Sequence, residues 1–248
     1  MNVVIVGGSG LIGTKLTRRL RERGCAVTPV SPSTGVDTVT GTGVAEAVRG
    51  AECIVDVTNS PSFADDAVMA FFRASTGNLI RAAAAAGVRH YVALSIVGAD
   101  DLPDSGYMRA KVVQENLVRA GGVPFTIVRS TQFFEFLAAV ADAATRNGEI
   151  RVPAIQMQPI AADDVAAQLA EVVVGRPQNG VVEIAGPEAL PMAVLIERRL
   201  AAKADPRRVV VDEQAGYFGA HAQVRTLVPR GVARVGTVDL ARWLRTAE

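Results

Sequence analysis

The segment between Val3 and Gly13 constrains the fold of this chain more than any other stretch. Four β-branched residues, at positions 3–6, are followed by glycines at positions 7, 8, 10 and 13. Behind the glycines, Leu16 and Leu20 repeat at the spacing of one helical face. This order predicts a strand, a tight turn and a helix, because glycine tolerates the turn and lets the helix pack close to the strand.

The glycine spacing also predicts a ligand. Gly8-x-Gly10-x-x-Gly13 fits the fingerprint of a dinucleotide-binding turn, in which the backbone approaches a pyrophosphate and the helix N-terminus offers N–H groups to the phosphates. The whole turn is therefore expected to contact the cofactor: Gly7, Gly8, Ser9, Gly10, Leu11, Ile12 and Gly13. An ordinary turn between strand and helix is the alternative. A Walker phosphate loop is excluded, because Thr14 and Lys15 follow Gly13.

Composition limits the class of protein. With 248 residues, of which 49% are hydrophobic and 21% charged, the chain suits a soluble globular protein with one large domain. A formal net charge of +1 argues against a nucleic-acid partner held by general electrostatics. Strand-like residues begin at position 2, which leaves no room for a signal peptide, and the longest apolar stretch, residues 79–88, is too short to span a bilayer. With two cysteines interpreted as buried thiols and no cysteine and histidine cluster, we expect a cytoplasmic protein without a metal site or membrane contact.

Strand and helix patterns alternate through the first 146 residues. After the first helix, strands are predicted at residues 25–30, 36–39, 53–57, 90–96 and 124–129, and longer helices at residues 64–86, 105–120 and 133–146. Such alternation predicts an α/β fold, a Rossmann-like doubly wound parallel sheet. Beyond residue 146 the pattern loosens. We therefore expect a dinucleotide-binding Rossmann core at residues 1–130 and a small C-terminal substrate lobe at residues 131–248, interleaved with the core in a single compact unit.

Two further segments lie at predicted strand ends, where the ligands of open parallel sheets bind. Ser31 and Ser33 follow the second strand, where an acidic residue would bind the 2′-hydroxyl of NAD. Small hydroxyls there leave room for a 2′-phosphate, so NADP(H) is preferred and NAD(H) stays an alternative. Thr58, Asn59 and Ser60 follow the next buried strand and are expected to touch the cofactor.

Tyr107 and Lys111 are spaced to share one face of a predicted helix. An ammonium near a phenol favours the phenolate and lowers its pKa from about 10, toward the value that a general acid or base needs. Tyr107 could then protonate a carbonyl oxygen as hydride reaches its carbon, and Ser95, near a strand end, could hold the same oxygen. The alternative is structural: a half-buried tyrosine, a solvated lysine and a strand-end hydroxyl.

These segments together resemble the short-chain dehydrogenase/reductase superfamily. The resemblance rests on the glycine turn, which also fits Gly7-x-x-Gly10-x-x-Gly13, on Ser95, on Tyr107-Met108-Arg109-Ala110-Lys111 and on residues 124–129. More closely, and over most of its length, the chain is similar to the atypical, NmrA-like NAD(P)H-binding branch. This resemblance implies that Ser95, Tyr107 and Lys111 are catalytic and that Lys111 also reaches the nicotinamide ribose. Val6 and Ser130 depart from the threonine and proline that many relatives carry.

The preferred function is that of an NAD(P)H-dependent oxidoreductase, which transfers hydride to a carbonyl or quinone-like small molecule with Tyr107 as general acid/base. One alternative is a non-catalytic NAD(P)-binding redox sensor of the NmrA type, which has no need of Tyr107 and Lys111 together. Another is an epimerase or isomerase that retains its nucleotide. The candidates to line an apolar substrate pocket are Met157, Tyr217, Phe218 and His221. The sequence leaves open the identity of the substrate and the choice between a monomer and a homodimer.

Overall fold

The structure, a computed structural model, describes residues 1–246. The first half of the chain contains β1 (Asn2–Val6), α1 (Leu11–Glu22), β2 (Ala26–Val30), α2 (Val44–Ala47), β3 (Cys53–Asp56), α3 (Asp65–Ala85), β4 (His90–Ile96), α4 (Gly106–Ala120) and β5 (Phe125–Ser130). The second half contains α5 (Leu137–Ala143), β6 (Thr145–Arg146), β7 (Glu149–Val152), β8 (Gln156–Met157), α6 (Ala162–Val174), β9 (Gly180–Ala185), β10 (Leu190–Pro191), α7 (Met192–Ala202), β11 (Arg208–Val211), β12 (Arg234–Val235) and α8 (Leu240–Thr246). Strands and helices therefore alternate as the sequence predicts for an α/β chain.

Seven parallel strands form the central sheet, in the spatial order β12-β9-β5-β4-β3-β1-β2. β1 pairs with β2 on one side and with β3 on the other, so that Val6 lies opposite both Val30 and Asp56. The chain thus reverses its direction across the sheet at β1, which is the position where open α/β sheets bind ligands. The prediction of a Rossmann-like doubly wound parallel sheet is confirmed.

Helices cover both faces of this sheet. On β1, Val3 and Ile5 belong to a core shared with α1 and α6, whereas Val4 and Val6 belong to a core shared with α3 and α4. Successive strand residues point to opposite faces, so a strand buried on both sides is apolar at every position. This explains the unbroken β-branched run at residues 3–6. Among residues 1–246, no helix combines the length and the apolar character needed to cross a membrane.

A third and larger hydrophobic core lies beside the sheet. It joins α5, α7 and α8 to parts of two small sheets, β11-β7-β6 and β10-β8, and it reaches the start of α4 through Met108. We call this part of the molecule the lobe. The helix α6 and the strand β9 lie between β8 and α7 in sequence, but they do not belong to the lobe. β9 is a strand of the central sheet, and α6 is part of the helical layer that covers it. Residues after position 131 therefore contribute both to the lobe and to the Rossmann sheet.

One predicted strand is a loop in the structure. Residues 36–39 lie outside every strand, and the Asp37 carboxylate accepts hydrogen bonds from the backbone N–H groups of Val39 at 2.8 Å and Thr40 at 3.3 Å. A side chain that satisfies its own backbone in this way competes with pairing to a neighbouring strand. The prediction of a strand at this position is wrong for that reason.

The second half of the chain also differs in detail from its predicted pattern. The helix expected at residues 133–146 is shorter, because a 3-10 turn at Phe134–Phe136 precedes α5. Cys25 is half-buried and not fully buried as expected, whereas Cys53 is buried, and both are free thiols. The two strands that begin near these cysteines, β2 and β3, are not neighbours in the sheet, because β1 lies between them.

Candidate functional site

The glycine turn joins β1 to α1 in a geometry that requires glycine. Gly7 has a φ of +84°, and a Cβ on it would lie 2.9 Å from the carbonyl oxygen of Val57. A Cβ on Gly8 would lie 2.8 Å from Pro29 Cα, and one on Gly13 would lie 2.7 Å from Gly8 Cα. Contacts this short leave no space for a side chain, so the backbone is open to close approach by a ligand.

The start of α1 presents hydrogen-bond donors to that ligand. Gly10 is the N-cap, and no side chain among residues 1–246 caps the helix. The Gly10 N–H donates to the Gly7 carbonyl at 3.0 Å, while the N–H groups of the first helical residues have no partner within the helix. Ser9 and Leu11 are exposed beside them, and Ile12 is buried. Free donors at the positive end of a helix dipole suit a pyrophosphate.

Ser31 and Ser33 lie past the end of β2, at the N-cap and within the short 3-10 helix Pro32–Thr34. The Ser31 N–H donates to Thr34 Oγ1 at 2.9 Å, and the hydroxyl oxygens of Ser31 and Ser33 lie 2.8 Å apart. Ser31 is buried, whereas Ser33 is exposed. No carboxylate belongs to residues 31–34, so a negatively charged phosphate meets no like charge from this turn.

Thr58, Asn59 and Ser60 follow β3, on the other side of β1. Thr58 donates twice to Asp56 Oδ1, through its N–H at 3.0 Å and through its hydroxyl at 2.7 Å. The Ser60 N–H donates to Asn59 Oδ1 at 3.1 Å. The peptide before Thr58 abuts the glycine turn. The glycine turn and the segment 58–60 therefore lie side by side at the carboxyl edge of the sheet.

Tyr107 lies in the first turn of α4 among aromatic side chains. Its ring centroid is 5.5 Å from that of Phe63 and 6.2 Å from that of Phe72, and its ring also packs against the lobe core that holds Tyr217. Its hydroxyl forms no hydrogen bond within residues 1–246. Burial raises the pKa of Tyr107 to about 12. The expected lowering of this pKa by Lys111 is therefore wrong, because burial of the phenol raises the pKa and no opposing effect of Lys111 accompanies it.

The Lys111 ammonium is buried one turn further along α4. It donates to the carbonyl oxygen of Leu94 at 2.8 Å and to Gln114 Oε1, and it lies 4.6 Å from the centroid of the Phe72 ring. Burial is the largest effect on the pKa of Lys111 and lowers it to about 8. The structure thus brings Lys111 and Tyr107 to the same aromatic ring, but Lys111 is not the solvated lysine of the structural alternative.

Ser95 lies near the end of β4 and binds a different side chain of α4. Its hydroxyl donates to Glu115 Oε1 at 2.7 Å. Arg129 donates to the two Glu115 oxygens at 2.8 and 2.9 Å, and Arg119 donates at 2.9 Å. Burial raises the pKa of Glu115, but hydrogen bonds from Arg129 and Ser95 outweigh it and hold the pKa below its usual value. No hydrogen bond joins Ser95 to the other two predicted catalytic residues within residues 1–246.

Two residues outside the predicted site leave polar atoms unpaired at the same edge. Gln132 is buried just past the end of β5, and neither its Oε1 nor its Nε2 has a hydrogen-bond partner among residues 1–246. Its neighbour Thr131 is also buried with an unpaired hydroxyl. Buried polar side chains are normally paired, so these groups suit a polar part of a ligand. Their only signal in the sequence is the position of polar residues directly after an apolar strand.

No metal centre accompanies these groups in the described chain. Residues 1–246 hold no cluster of three or more histidine, cysteine or acidic side chains suited to a metal ion. His90, one of the two histidines, lies at the opposite, amino end of β4. Its Nε2 is paired with Thr126 Oγ1 at 2.9 Å.

Comparison with known proteins gives the family. The NAD(P)H-binding family matches residues 7–176. The chain is 30% identical over 208 residues to a (4-alkanoyl-5-oxo-2,5-dihydrofuran-3-yl)methyl phosphate reductase from Streptomyces griseus subsp. griseus, a match that covers 76% of this chain and 69% of that protein. It is 30% identical over 228 residues to an NAD(P)H azoreductase from Xenophilus azovorans, with 84% of this chain and 76% of that protein covered.

A solved structure agrees with the fold. It is a short-chain dehydrogenase/reductase superfamily protein from Agrobacterium tumefaciens with bound NAD, with a TM-score of 0.74, 19% identity and coverage of 100% of this chain and 96% of that chain. The family match includes the glycine turn, Tyr107 and Lys111, and extends through α6. The chain therefore belongs to the NAD(P)H-binding family and is an NAD(P)H-dependent oxidoreductase.

Proposed function

We propose that the protein transfers hydride from NADPH to a carbonyl or quinone-like small molecule, with Tyr107 as the general acid/base. The observation that carries this proposal is the Tyr107 hydroxyl. Phe63 and Phe72 hold the ring, yet the hydroxyl has no partner within residues 1–246, so it is free to bind a substrate oxygen. In this proposal residues 1–130 form the dinucleotide-binding core and residues 131–248 supply the substrate-binding lobe.

The protonation state of Tyr107 fits the role of an acid. Bound NADPH supplies hydride to the substrate carbon. Because burial raises the pKa of Tyr107 to about 12, the phenol is protonated at neutral pH and can give its proton to the oxygen of the same substrate group. The transfer leaves a negative charge on Tyr107. In this proposal the Lys111 ammonium, which contacts the same Phe72 ring, is the cation that would stabilise that charge once the proton has left.

Ser95 takes an orienting role in this proposal. Its hydroxyl donates its single proton to Glu115. As long as this hydrogen bond persists, the Ser95 oxygen can only accept a hydrogen bond from another group. It donates to a substrate oxygen only after it turns away from Glu115. Arg129 and Arg119 still pair with the Glu115 carboxylate in that case, which keeps a buried charge satisfied.

The preferred cofactor in this proposal is NADP(H), with NAD(H) as the alternative. The support is the neutral pair of Ser31 and Ser33 hydroxyls past β2, at the place where an acidic side chain would bind the 2′-hydroxyl of NAD. The nearest carboxylate downstream, Asp37, is engaged by its own loop through Val39 and Thr40. The glycine turn and residues 58–60 are proposed to contact the rest of the same cofactor.

Exposed aromatic side chains favour a flat, conjugated substrate. Phe63 is 65% exposed and contacts the Tyr107 ring. Phe218 is 60% exposed and lies 4.9 Å, between ring centroids, from Tyr217 of the lobe core. Aromatic faces prefer to stack on other planar groups, and exposed apolar side chains beside a ligand edge suit an apolar ligand. The two relatives at 30% identity carry the names of reductases, one of them an azoreductase.

The experiment separates cofactor binding from turnover. NADPH and NADH are titrated by calorimetry into the wild type and into Tyr107→Phe, and NADPH oxidation is followed with a panel of quinones and ketones. We expect both proteins to bind NADPH and the turnover of Tyr107→Phe to fall by about 10²–10⁴-fold, the usual contribution of general acid catalysis. Met108→Leu, a volume-conserving change at the next position of α4, is the matched control for disturbed packing.

Each other outcome selects another function. NADPH binding without turnover by either protein favours the redox sensor. Nucleotide retained through purification and returned to substrate favours the epimerase or isomerase. Absence of NADPH binding contradicts the proposed cofactor site.

A further inference from the structure

The Lys111 ammonium is enclosed by the protein. Lys111 is 3% exposed, and its Nζ is surrounded by the Leu94 carbonyl at 2.8 Å, by Gln114 Oε1 and by the face of the Phe72 ring. An ammonium has three hydrogens to donate, and two of them meet oxygen acceptors from the protein here. A buried charge is stable only when an opposite charge or several hydrogen bonds compensate it. The buried Lys111 ammonium therefore requires a negatively charged side chain nearby.

Gln114 connects this cation to a carboxylate that the cation does not touch. The amide oxygen of Gln114 accepts from Lys111 Nζ, and its Nε2 donates to Asp56 Oδ2 at 3.0 Å. Gln114 and Asp56 are both 0% exposed. A glutamine side chain carries one acceptor and two donors, which lets it stand between an ammonium and a carboxylate and satisfy both.

The same carboxylate holds two other elements. Asp56 Oδ2 also accepts from the Tyr91 hydroxyl at 3.0 Å. Asp56 Oδ1 accepts from the N–H and the hydroxyl of Thr58 at 3.0 and 2.7 Å. Asp56 thus fixes the first residue of the segment 58–60, which is proposed to touch the cofactor, and through Gln114 it reaches Lys111.

Asp56 is the carboxylate whose charge is matched to Lys111. Two acidic side chains act on Lys111 electrostatically, Asp56 of β3 and Glu115 of α4. Glu115 is already paired with Arg129 and Arg119. Asp56 forms no direct ion pair within residues 1–246, so the relay through Gln114 is its link to a cation.

We propose that Asp56 and Gln114 are positioning residues, which hold Lys111 charged and in place and tie it to the segment that begins at Thr58. This inference rests on the proposed function only in assigning Lys111 a role in catalysis. Two carboxylates act on Lys111 electrostatically, Asp56 from β3 and Glu115 from α4. The Tyr91 phenol of β4 donates to the Asp56 carboxylate, and the uncharged Phe72 ring of α3 contacts both Lys111 and the Tyr107 ring. Burial lowers the pKa of Lys111 to about 8, and the Asp56 and Glu115 carboxylates oppose that fall.

The chain allows this charge to be observed directly. It contains three lysines, Lys15, Lys111 and Lys203, so protein labelled with ¹³Cε-lysine gives three NMR signals, assigned with Lys15→Arg and Lys203→Arg. Each signal is followed against pH in the absence of cofactor. We expect the Lys111 midpoint to fall by about one pH unit in Asp56→Asn, because a nearby opposite charge that favours the ammonium is removed. Gln114→Leu, of similar volume, should also lower the midpoint, because it removes the acceptor on Nζ.

A matched control distinguishes positioning from general disturbance. Tyr91→Phe removes a hydrogen bond from the same Asp56 oxygen but leaves Lys111, Gln114 and the Asp56 charge in place, so the Lys111 midpoint should stay at its wild-type value. An unchanged Lys111 midpoint in Asp56→Asn and Gln114→Leu overturns the proposal, and so does an equal shift in Tyr91→Phe. If Asp56→Asn does not fold, Gln114→Leu and Tyr91→Phe decide the question between them.

A kinetic readout extends the test to the reaction. The alkaline limb of kcat for NADPH oxidation should move to lower pH in Gln114→Leu, together with the NMR midpoint. A protein that titrates as expected but turns over no quinone or ketone sustains the positioning role of Asp56 and contradicts the proposed function. An alkaline limb that stays in place while the NMR midpoint moves contradicts the link to catalysis.

Discussion

A methyl group at Gly13 tests the glycine turn most directly. A Cβ at this position would lie 2.7 Å from Gly8 Cα and closer still to the Gly7 carbonyl oxygen. Carbon atoms in ordinary contact are about 3.5–4.0 Å apart, so Gly13→Ala forces the start of α1 away from the turn by about 1 Å. That movement separates the N-terminus of α1 from the glycine turn, and these two parts together are proposed to bind the pyrophosphate.

The magnitude follows from two opposing effects. Alanine is favoured over glycine in a helix by about 1 kcal/mol, whereas forced overpacking costs about 1–3 kcal/mol. Gly77 of α3 is the matched control, because a Cβ there meets only Arg81 Nη1 at 4.0 Å. Gly77→Ala should therefore stabilise the protein by about 1 kcal/mol, and the two variants should differ by about 1–3 kcal/mol. Each kcal/mol corresponds to about 2–4 °C in Tm for a chain of this size.

Calorimetry with NADPH and thermal unfolding measure the two consequences. Gly13→Ala should bind NADPH at least about tenfold more weakly than the wild type, which is a loss of about 1.4 kcal/mol. Gly77→Ala should bind it as the wild type does. Wild-type affinity in Gly13→Ala, or a Tm as high as that of Gly77→Ala, would refute the reasoning that close packing of this turn forms the cofactor site.

Three further predictions concern stability and substrate choice. Burial lowers the pKa of His90 to about 4, so the unfolded chain binds a proton at this histidine at higher pH than the folded protein does. The free energy of unfolding is therefore unaffected above about pH 6.5 and about 3 kcal/mol lower below about pH 4. His90→Gln should flatten this part of the pH profile of urea unfolding, and an unaltered profile would contradict the prediction. Gln132→Leu replaces two unpaired buried polar atoms and should raise the Tm of the ligand-free protein, since each such group costs about 1–3 kcal/mol; a lower Tm would show that the amide is satisfied. Phe63→Ala removes an exposed ring beside Tyr107 and should raise KM for aromatic quinones more than for aliphatic ketones, in steady-state assays at saturating NADPH; equal effects on both would exclude stacking.

The central fold was predictable because local and global signals agree there. Residues 3–6 are apolar at every position, as a strand buried on both faces must be. The glycines that follow them stand where the structure leaves no space for a side chain. The strand predicted at residues 36–39 failed because Asp37 satisfies backbone donors of its own loop. Spacing rules do not register a competition of that kind between a side chain and a neighbouring strand.

The site was only partly predictable because its electrostatics depend on distant partners. The spacing of Tyr107 and Lys111 places them on one helix face, but it does not reveal that Lys111 is enclosed and bound to Leu94 and Gln114. Nor does the sequence place Asp56 next to Gln114, since the two are 58 positions apart. Burial, which only the fold determines, raises the pKa of Tyr107 and lowers that of Lys111.

The helix α8 gives the molecule an intrinsic optical probe. Trp243, the only tryptophan in the chain, stacks on Phe134 with ring centroids 5.5 Å apart and an interplanar angle of 28°. Phe134 lies two positions after Gln132, and its N–H donates to the Ile160 carbonyl at 3.0 Å. All indole fluorescence therefore originates at the junction between the lobe and the ligand edge of the sheet. Changes in packing at that junction can be followed by emission from the unlabelled protein, while unfolding elsewhere contributes no background signal of its own.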